Sequence, residues 1–270
     1  MRRFRSAPLS ALVLAAMAAG SLATATPASA AKAKKPAAIT VLVTNDDGYN
    51  AAGIDTLVET LRKVKNTKVV VVAPATNQTG KGGSTSPTPL ATSAATTASG
   101  YDAIAVQGTP ADTVTAALDQ LSVKPDVVMS GINIGQNMGT LVDVSGTVGA
   151  ARMAARRGIP AVALSQGFGD VPQFGSAAKL AVAWLASHRS ALAKKPTTAP
   201  TAVVNINVPN CPSGKPRGVK QVETATTNEN AIADVDCTAT LTKPATDIEG
   251  FNAGWAVEAP VSIEPTTPAS

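Results

Sequence analysis

The chain is poor in the residue types on which much enzyme chemistry is built. Its 270 residues include one histidine and two cysteines, and only 3% are aromatic. The lone His188 falls near the end of an expected helix, remote in sequence from every polar loop discussed below. Its plainest role is a favourable charge at a helix C-terminus or a solvated side chain. With no Gly-x-Ser-x-Gly to accompany it, a Ser-His-Asp mechanism has little to stand on. Neither a Walker A lysine loop nor Gly-x-Gly-x-x-Gly occurs, which argues against an NTPase and against a dinucleotide oxidoreductase.

A long apolar run is missing as well. The stretch Ala11 to Ala19 is shorter than the roughly 20 residues of a spanning helix. Preceded by Arg2, Arg3 and Arg5 and followed by Ala28-Ser29-Ala30, it reads as a signal peptide over 1–30, cleaved near Ala30-Ala31, so export is expected and a membrane anchor is not. Excess positive charge is equally local. Lys and Arg number 23 against 18 Asp and Glu, but six of them stand in the leader and in the linker 31–38, leaving 17 against 18. The mature region therefore carries no bulk charge for binding a nucleic-acid polymer. In an exported chain the two cysteines, Cys211 and Cys237, read as a disulfide, worth about 3 kcal/mol in the chain-entropy model.

What the chain does have is apolar material, 44% of its residues. It is arranged as β-branched runs alternating with helical patterns, the signature of βαβ units. Strands are expected over 39–44, 68–73, 101–106, 126–129, 161–164 and 202–208, and helices over 54–64, 111–121, 147–157 and 176–193. The continuous Val69-Val70-Val71-Val72 implies burial on both faces. The fold class is α/β: a Rossmann-like, mostly parallel sheet flanked by helices over 39–209, with an irregular C-terminal extension over 210–264 holding two or three strands and a disordered tail over 265–270. Residues 75–100, rich in Thr, Ser, Gly, Pro and Ala, are too long for a common strand-to-helix loop and read as a functional excursion or lid.

In an open parallel sheet ligands bind beyond the carboxyl ends of the strands. Three such ends carry small polar loops: Asn45-Asp46-Asp47-Gly48, Thr76-Asn77-Gln78-Thr79-Gly80 and the run from Ser130 to Gly139. Two adjacent carboxylates after a buried strand repel each other and lose solvation, and a cation relieves both costs. The donors nearby are all oxygens, from Asp46, Asp47, a Thr hydroxyl and an Asn carbonyl, a set that favours Mg²⁺, Mn²⁺ or Ca²⁺ over zinc or copper. Asp-Asp-Gly taken alone is equally a capped turn. Gly108-Thr109-Pro110-Ala111-Asp112 and Ser145-Gly146-Thr147 each open a helix, and each is either a phosphate cradle or an ordinary cap.

Asn45-Asp46-Asp47-Gly48, Gly108-Thr109-Pro110-Ala111-Asp112, the run from Ser130 to Gly139, Ser145-Gly146-Thr147-Val148 and Asn205-Ile206-Asn207-Val208-Pro209 form five ordered matches over about 39–209 that resemble the SurE family of survival-protein phosphatases. The resemblance implies a phosphomonoesterase that hydrolyses nucleoside 5′- and 3′-monophosphates with one divalent cation. It maps the metal ligands onto Asp46, Asp47, Thr79 and Asn133, the catalytic carboxylates onto Asp46 and Asp47, and phosphate binding onto Asn45, Asn137, Ser145, Gly146 and Thr147. It leaves open whether the chain forms a homodimer. Departures from the family pattern are Ala75 where Asp is usual, Thr79 for Ser, Leu141 for an acid, Met153 for Glu, and Ala259-Pro260 for Gly-Tyr ahead of the last strand. They keep two alternatives open: a non-catalytic secreted nucleotide- or metal-binding protein, and a general acid phosphatase.

Overall fold

A computed structural model describes residues 36–195 and 197–266. The expected signal peptide, residues 31–35 of the linker and the tail beyond Thr266 lie outside the described residues. The core of the fold is β1 (Ile39–Thr44), whose side chains are buried on both faces except at Thr40. Its neighbours are β2 (Thr67–Pro74), with Val41 opposite Val69, and β5 (Val127–Ile134), with Val41 opposite Val127, both parallel. Outward from β2 run β4 (Asp102–Val106) and the antiparallel edge β3 (Thr92–Thr96). Outward from β5 run β6 (Ala161–Gln166) and β7 (Ala202–Val208), then β9 (Ala256–Ser262), antiparallel to β7, and the short β8 (Val219–Gln221). The order is β3-β4-β2-β1-β5-β6-β7-β9-β8. The parallel strands grow outward in opposite directions from β1 and β5, so the topological switch point, where a crevice opens at the strand ends, lies between those two.

Helices cover both faces because strands buried on both sides require it. On one face, α1 (Ala52–Leu61) and α4 (Phe174–Ala193) bury Ile54, Leu57, Leu61, Ala177, Ala181 and Leu185 against the sheet. On the other, α2 (Pro110–Thr115) and α3 (Gly146–Arg156) bury Val114, Val148 and the alanines 150, 151, 154 and 155. The small alanine face lets α3 lie close to the strands it covers. At the end of α4, His188 stacks on Trp184 with ring centroids 4.2 Å apart, away from the switch point.

Three expectations are corrected. Residues 130–134, read as loop, continue β5, pairing with β6 through a register shift between Ser130 and Asn133. The 75–100 excursion contains β3, whose alternation-free Thr-Ser-Ala-Ala-Thr sequence suits an exposed edge strand and gives no pattern to read. The helix expected over 111–121 is α-helical only through Thr115 and continues as a π-helical turn through Gln120. In the C-terminal segment, α5 (Asp247–Asn252) and β9 enclose a small core of Met138, Ala231, Ile248, Phe251 and Val257. Cys211 and Cys237 are bridged, with Cα atoms 5.9 Å apart. Thr266, placed in the expected disordered tail, donates from its N–H and hydroxyl to Asp143.

Candidate active site

The residues at the switch point are held by short local bonds. Asn45 closes a turn onto Gly48: its amide donates to Gly48 O at 2.9 Å, and its carbonyl oxygen accepts from Gly48 N–H. That turn sends Asp46 and Asp47 out from the end of β1. Gln78 N–H donates to Asp46 O at 2.6 Å, which brings the loop after β2, with exposed Thr79, against the pair. Asn77 orders that loop by accepting from Thr79 N–H at 2.9 Å and donating to Asp47 at 3.4 Å.

From the opposite side comes the start of α3. Ser145 is the N-cap, accepting from Val148 N–H at 3.2 Å. Thr147, fully buried and 101 positions away in sequence, donates its hydroxyl to Asp46 Oδ1 at 2.6 Å. Gly146 permits this closeness, since a Cβ there would lie 2.8 Å from Asp46 Cβ and 3.0 Å from its Oδ2. On β5, Asn133 commits its amide nitrogen to Gly135 O and Ile134 O, leaving the carbonyl oxygen as the atom that can act as a ligand.

Electrostatics make the carboxylate pair unusual. Burial, leaving Asp46 only 2% exposed, raises its pKa against the opposing bond from Thr147. Asp47 is pushed up to about 6, first by burial and then by the charge of Asp46, with Ile134 N–H and Asn77 pulling the other way. No Lys or Arg forms an ion pair with either among the described residues. Nowhere among the same residues do three or more His, Cys, Asp and Glu come together so as to hold a metal ion, so the donor set here is two carboxylates and neutral oxygens. Two adjacent carboxylates disfavoured in their charged form, with hard oxygens beside them, fit a divalent cation.

Asn137 is fixed by a web of amides. Its N–H donates to Asn207, its side chain donates to Ser165 Oγ at 2.9 Å, and its carbonyl accepts from Asn205 and Asn207 at 2.7 and 3.0 Å. The Asn205-Ile206-Asn207 alternation had a readable signal, since residues two apart share one strand face. Asn77 was legible in the sequence only as part of its polar loop, with no role of its own, and Ser165 was not found. Of the departures, Thr79 stands in the loop held against the pair, whereas Leu141 packs on the C-terminal core, Met153 on the core under α3, Ala75 donates its N–H to Val106 O, and Ala259 and Pro260 lie within β9 rather than ahead of it.

Two cavities lie by the carboxyl ends of the strands, neither lined by Asp46 or Asp47. One, of about 640 Å³, lies toward β2 and β3 beside Tyr49 and Thr76; the other, of about 740 Å³, lies toward β6 and β7 beside Gln136 and Phe168. The fold and site thus define a doubly wound α/β protein with an acidic, oxygen-lined crevice at its switch point. Comparison with known proteins narrows that class. Residues 41–231 match the model of the family described as survival protein SurE, and the chain belongs to that family. It is 38% identical over 186 residues to the 5′-nucleotidase SurE of Polaromonas naphthalenivorans, spanning 67% of this chain and 69% of that one. With the 5′-nucleotidase SurE of Methanopyrus kandleri the identity is 46% over 127 residues, spanning 47% and 48%. The crystal structure of SurE protein from Aquifex aeolicus superposes with a TM-score of 0.67 at 28% identity, covering 84% of this chain and 95% of that one.

Proposed function

We propose that this chain is a metal-dependent phosphomonoesterase that releases phosphate from nucleoside 5′- and 3′-monophosphates. The observation that carries the reading is the Asp46–Asp47 pair, Asp46 buried and Asp47 half-buried, charge-strained and without a Lys or Arg ion pair among the described residues, at the switch point of a fold whose named relatives are 5′-nucleotidases. Asp46, Asp47, Thr79 and Asn133 would hold one divalent cation, Mg²⁺ or Mn²⁺ with Ca²⁺ a further match to hard oxygens. Bound there, it would polarise a phosphoryl oxygen and acidify a water.

The chain's own groups do the rest. Thr147 fixes the rotamer of Asp46 through its hydroxyl and turns its backbone N–H to the same carboxylate, so the N–H groups of Ser145 and Gly146 are the ones at the start of α3 that would bind phosphate oxygens. Asn137 is immobilised through its backbone and through the bond from its amide to Ser165 Oγ, its second amide N–H would donate to a phosphate oxygen, and Asn45 sets the turn that aims both carboxylates. One of the two aspartates would also take a proton from water, and Asp47 is the more exposed of the pair. Export through residues 1–30 belongs to the same proposal, supported by the Cys211–Cys237 bridge, which suits an oxidising compartment.

Phosphate release from a nucleotide panel tests this. Activity should appear with Mn²⁺ or Mg²⁺ and vanish in EDTA; full activity in the chelator refutes the mechanism, and nucleotide binding without release in any metal favours the non-catalytic alternative.

A further inference from the structure

Resting on that reading, we propose that the cavity between Phe168 and residues 231–235 is the subsite for the nucleobase, and that the Cys211–Cys237 bridge holds its far wall in place. Phe168 is 60% exposed and is the only aromatic among the exposed large apolar side chains of the described residues. It stands two residues beyond β6 at the carboxyl edge of the sheet, where ligands of this fold bind. An exposed aromatic ring lined up with a crevice offers a stacking face for a base.

The ring is placed by its neighbour. Gly135, at φ +95°, adopts a conformation that favours glycine, and a Cβ there would fall 2.3 Å from the Phe168 ring. One side of the ring therefore rests directly on backbone. That backbone is continuous with the carboxylate site: Gly135 O receives the Asn133 amide at 2.7 Å, and the N–H of adjoining Ile134 bonds to Asp47. Phosphate at the carboxylates and a base on Phe168 are thus served by one three-residue stretch, 133–135. The Phe168 N–H is tied to Gln136, whose amide reaches across to Ala231 O at 2.9 Å and so fixes the cavity's two walls against each other.

The remaining lining sets the chemistry. Asp170, Asp234 and the carbonyl oxygen of Asn210, whose amide donates to Val171 O, are acceptors, while Ile232, 74% exposed, adds apolar surface on the far wall. An acceptor-rich cavity with one aromatic face suits a base bearing an exocyclic amino group, adenine above uracil. The cavity beside Tyr49 lacks these features: Tyr49 packs against the core and its walls are chiefly alanine, serine and threonine. Cys211 lines the Phe168 cavity and Cys237 ends the segment that carries Ile232 and Asp234, so the bridge ties the far wall to the end of β7.

Ribose 5-phosphate, which is a nucleotide without its base, isolates the effect. Phe168→Ala should lower kcat/KM for AMP relative to ribose 5-phosphate by roughly 5- to 100-fold, with the loss in KM, and Phe168→Tyr should restore it. The Cys211→Ser/Cys237→Ser double variant should shift the same ratio in the same direction, and ribose 5-phosphate turnover reports that the fold survives. An unchanged ratio in Phe168→Ala, or equal losses on both esters, overturns the subsite. A wild-type protein that hydrolyses neither ester refutes the phosphatase reading instead; adenosine binding by calorimetry then decides the subsite, supporting it if Phe168→Ala abolishes binding and overturning it if binding is unchanged.

Discussion

Asp46 and Asp47 are chemically identical side chains that their surroundings treat differently. In the metal-free protein the folded state holds Asp47 with a pKa of about 6 against an ordinary 3.8. Below pH 4 folded and unfolded chains both keep that proton; between about 4 and 6 the unfolded chain releases it first, so stability falls as pH rises through that window. Thermal melts in EDTA across pH 4 to 7 should show this slope, and Asp47→Asn should flatten it. Equal slopes in the two proteins would contradict the assignment. Asp46→Asn keeps size while removing charge beside the cation site, so turnover should drop by a factor on the order of 100 or more with the fold intact. Gly146→Ala tests the close approach itself: its methyl would press on Asp46 and on Pro110 Cγ, 3.0 Å away, and should cost about 1–3 kcal/mol in denaturant titration together with most activity. The identities of the two carboxylates were legible in the sequence. What was not legible is that the hydroxyl of Thr147 belongs to Asp46, because no local pattern reports a contact across 101 positions.

At the scale of elements, legibility followed the strength of the local signal. β1, β2 and β7 announce themselves by β-branched runs, and α2 by Thr109-Pro110 with Asp112 three residues on. The structure shows that cap complete, Thr109 hydroxyl to Asp112 N–H at 3.3 Å and Asp112 carboxylate to Thr109 N–H at 2.8 Å. Asp112 also takes Ser86 N–H at 2.9 Å, so the cap anchors the segment after β2 as well as the helix. Thr109→Ala should therefore cost at least the ~1 kcal/mol of an ordinary cap, read by chemical denaturation. β5 ran past its apolar stretch into Ser-Gly-Ile-Asn because its last residues pair with β6 through an irregular register, a tertiary event that leaves the sequence looking like a loop. β3 escaped notice for the opposite reason: an exposed edge needs only backbone partners on one side and can be built from Thr, Ser and Ala. Phe168 was overlooked although its position immediately beyond a strand end was the available signal.

Across the whole molecule, the C-terminal segment and the catalytic half are joined by a few buried polar ties. Asp247 accepts from Gly139 and Ala225 N–H groups, linking α5 to the loop that carries Asn137. Arg152, 3% exposed, donates to Ser262 O at the end of β9 and pairs with Asp143 at 2.7 Å. Arg152→Met removes a buried guanidinium that bonds Ser262 O, Val142 O and Asp143 together, so it should destabilise the protein by about 3–5 kcal/mol in thermal or denaturant unfolding, far more than a surface substitution. The Cys211–Cys237 link closes 26 positions of largely irregular chain between β7 and α5. A protease that cuts once inside that loop would leave two polypeptides still covalently joined, with the strands on either side of the cut in place. Such a clipped protein would run as one band on a non-reducing gel and as two after reduction, and would survive in a proteolytic medium as a working two-chain enzyme.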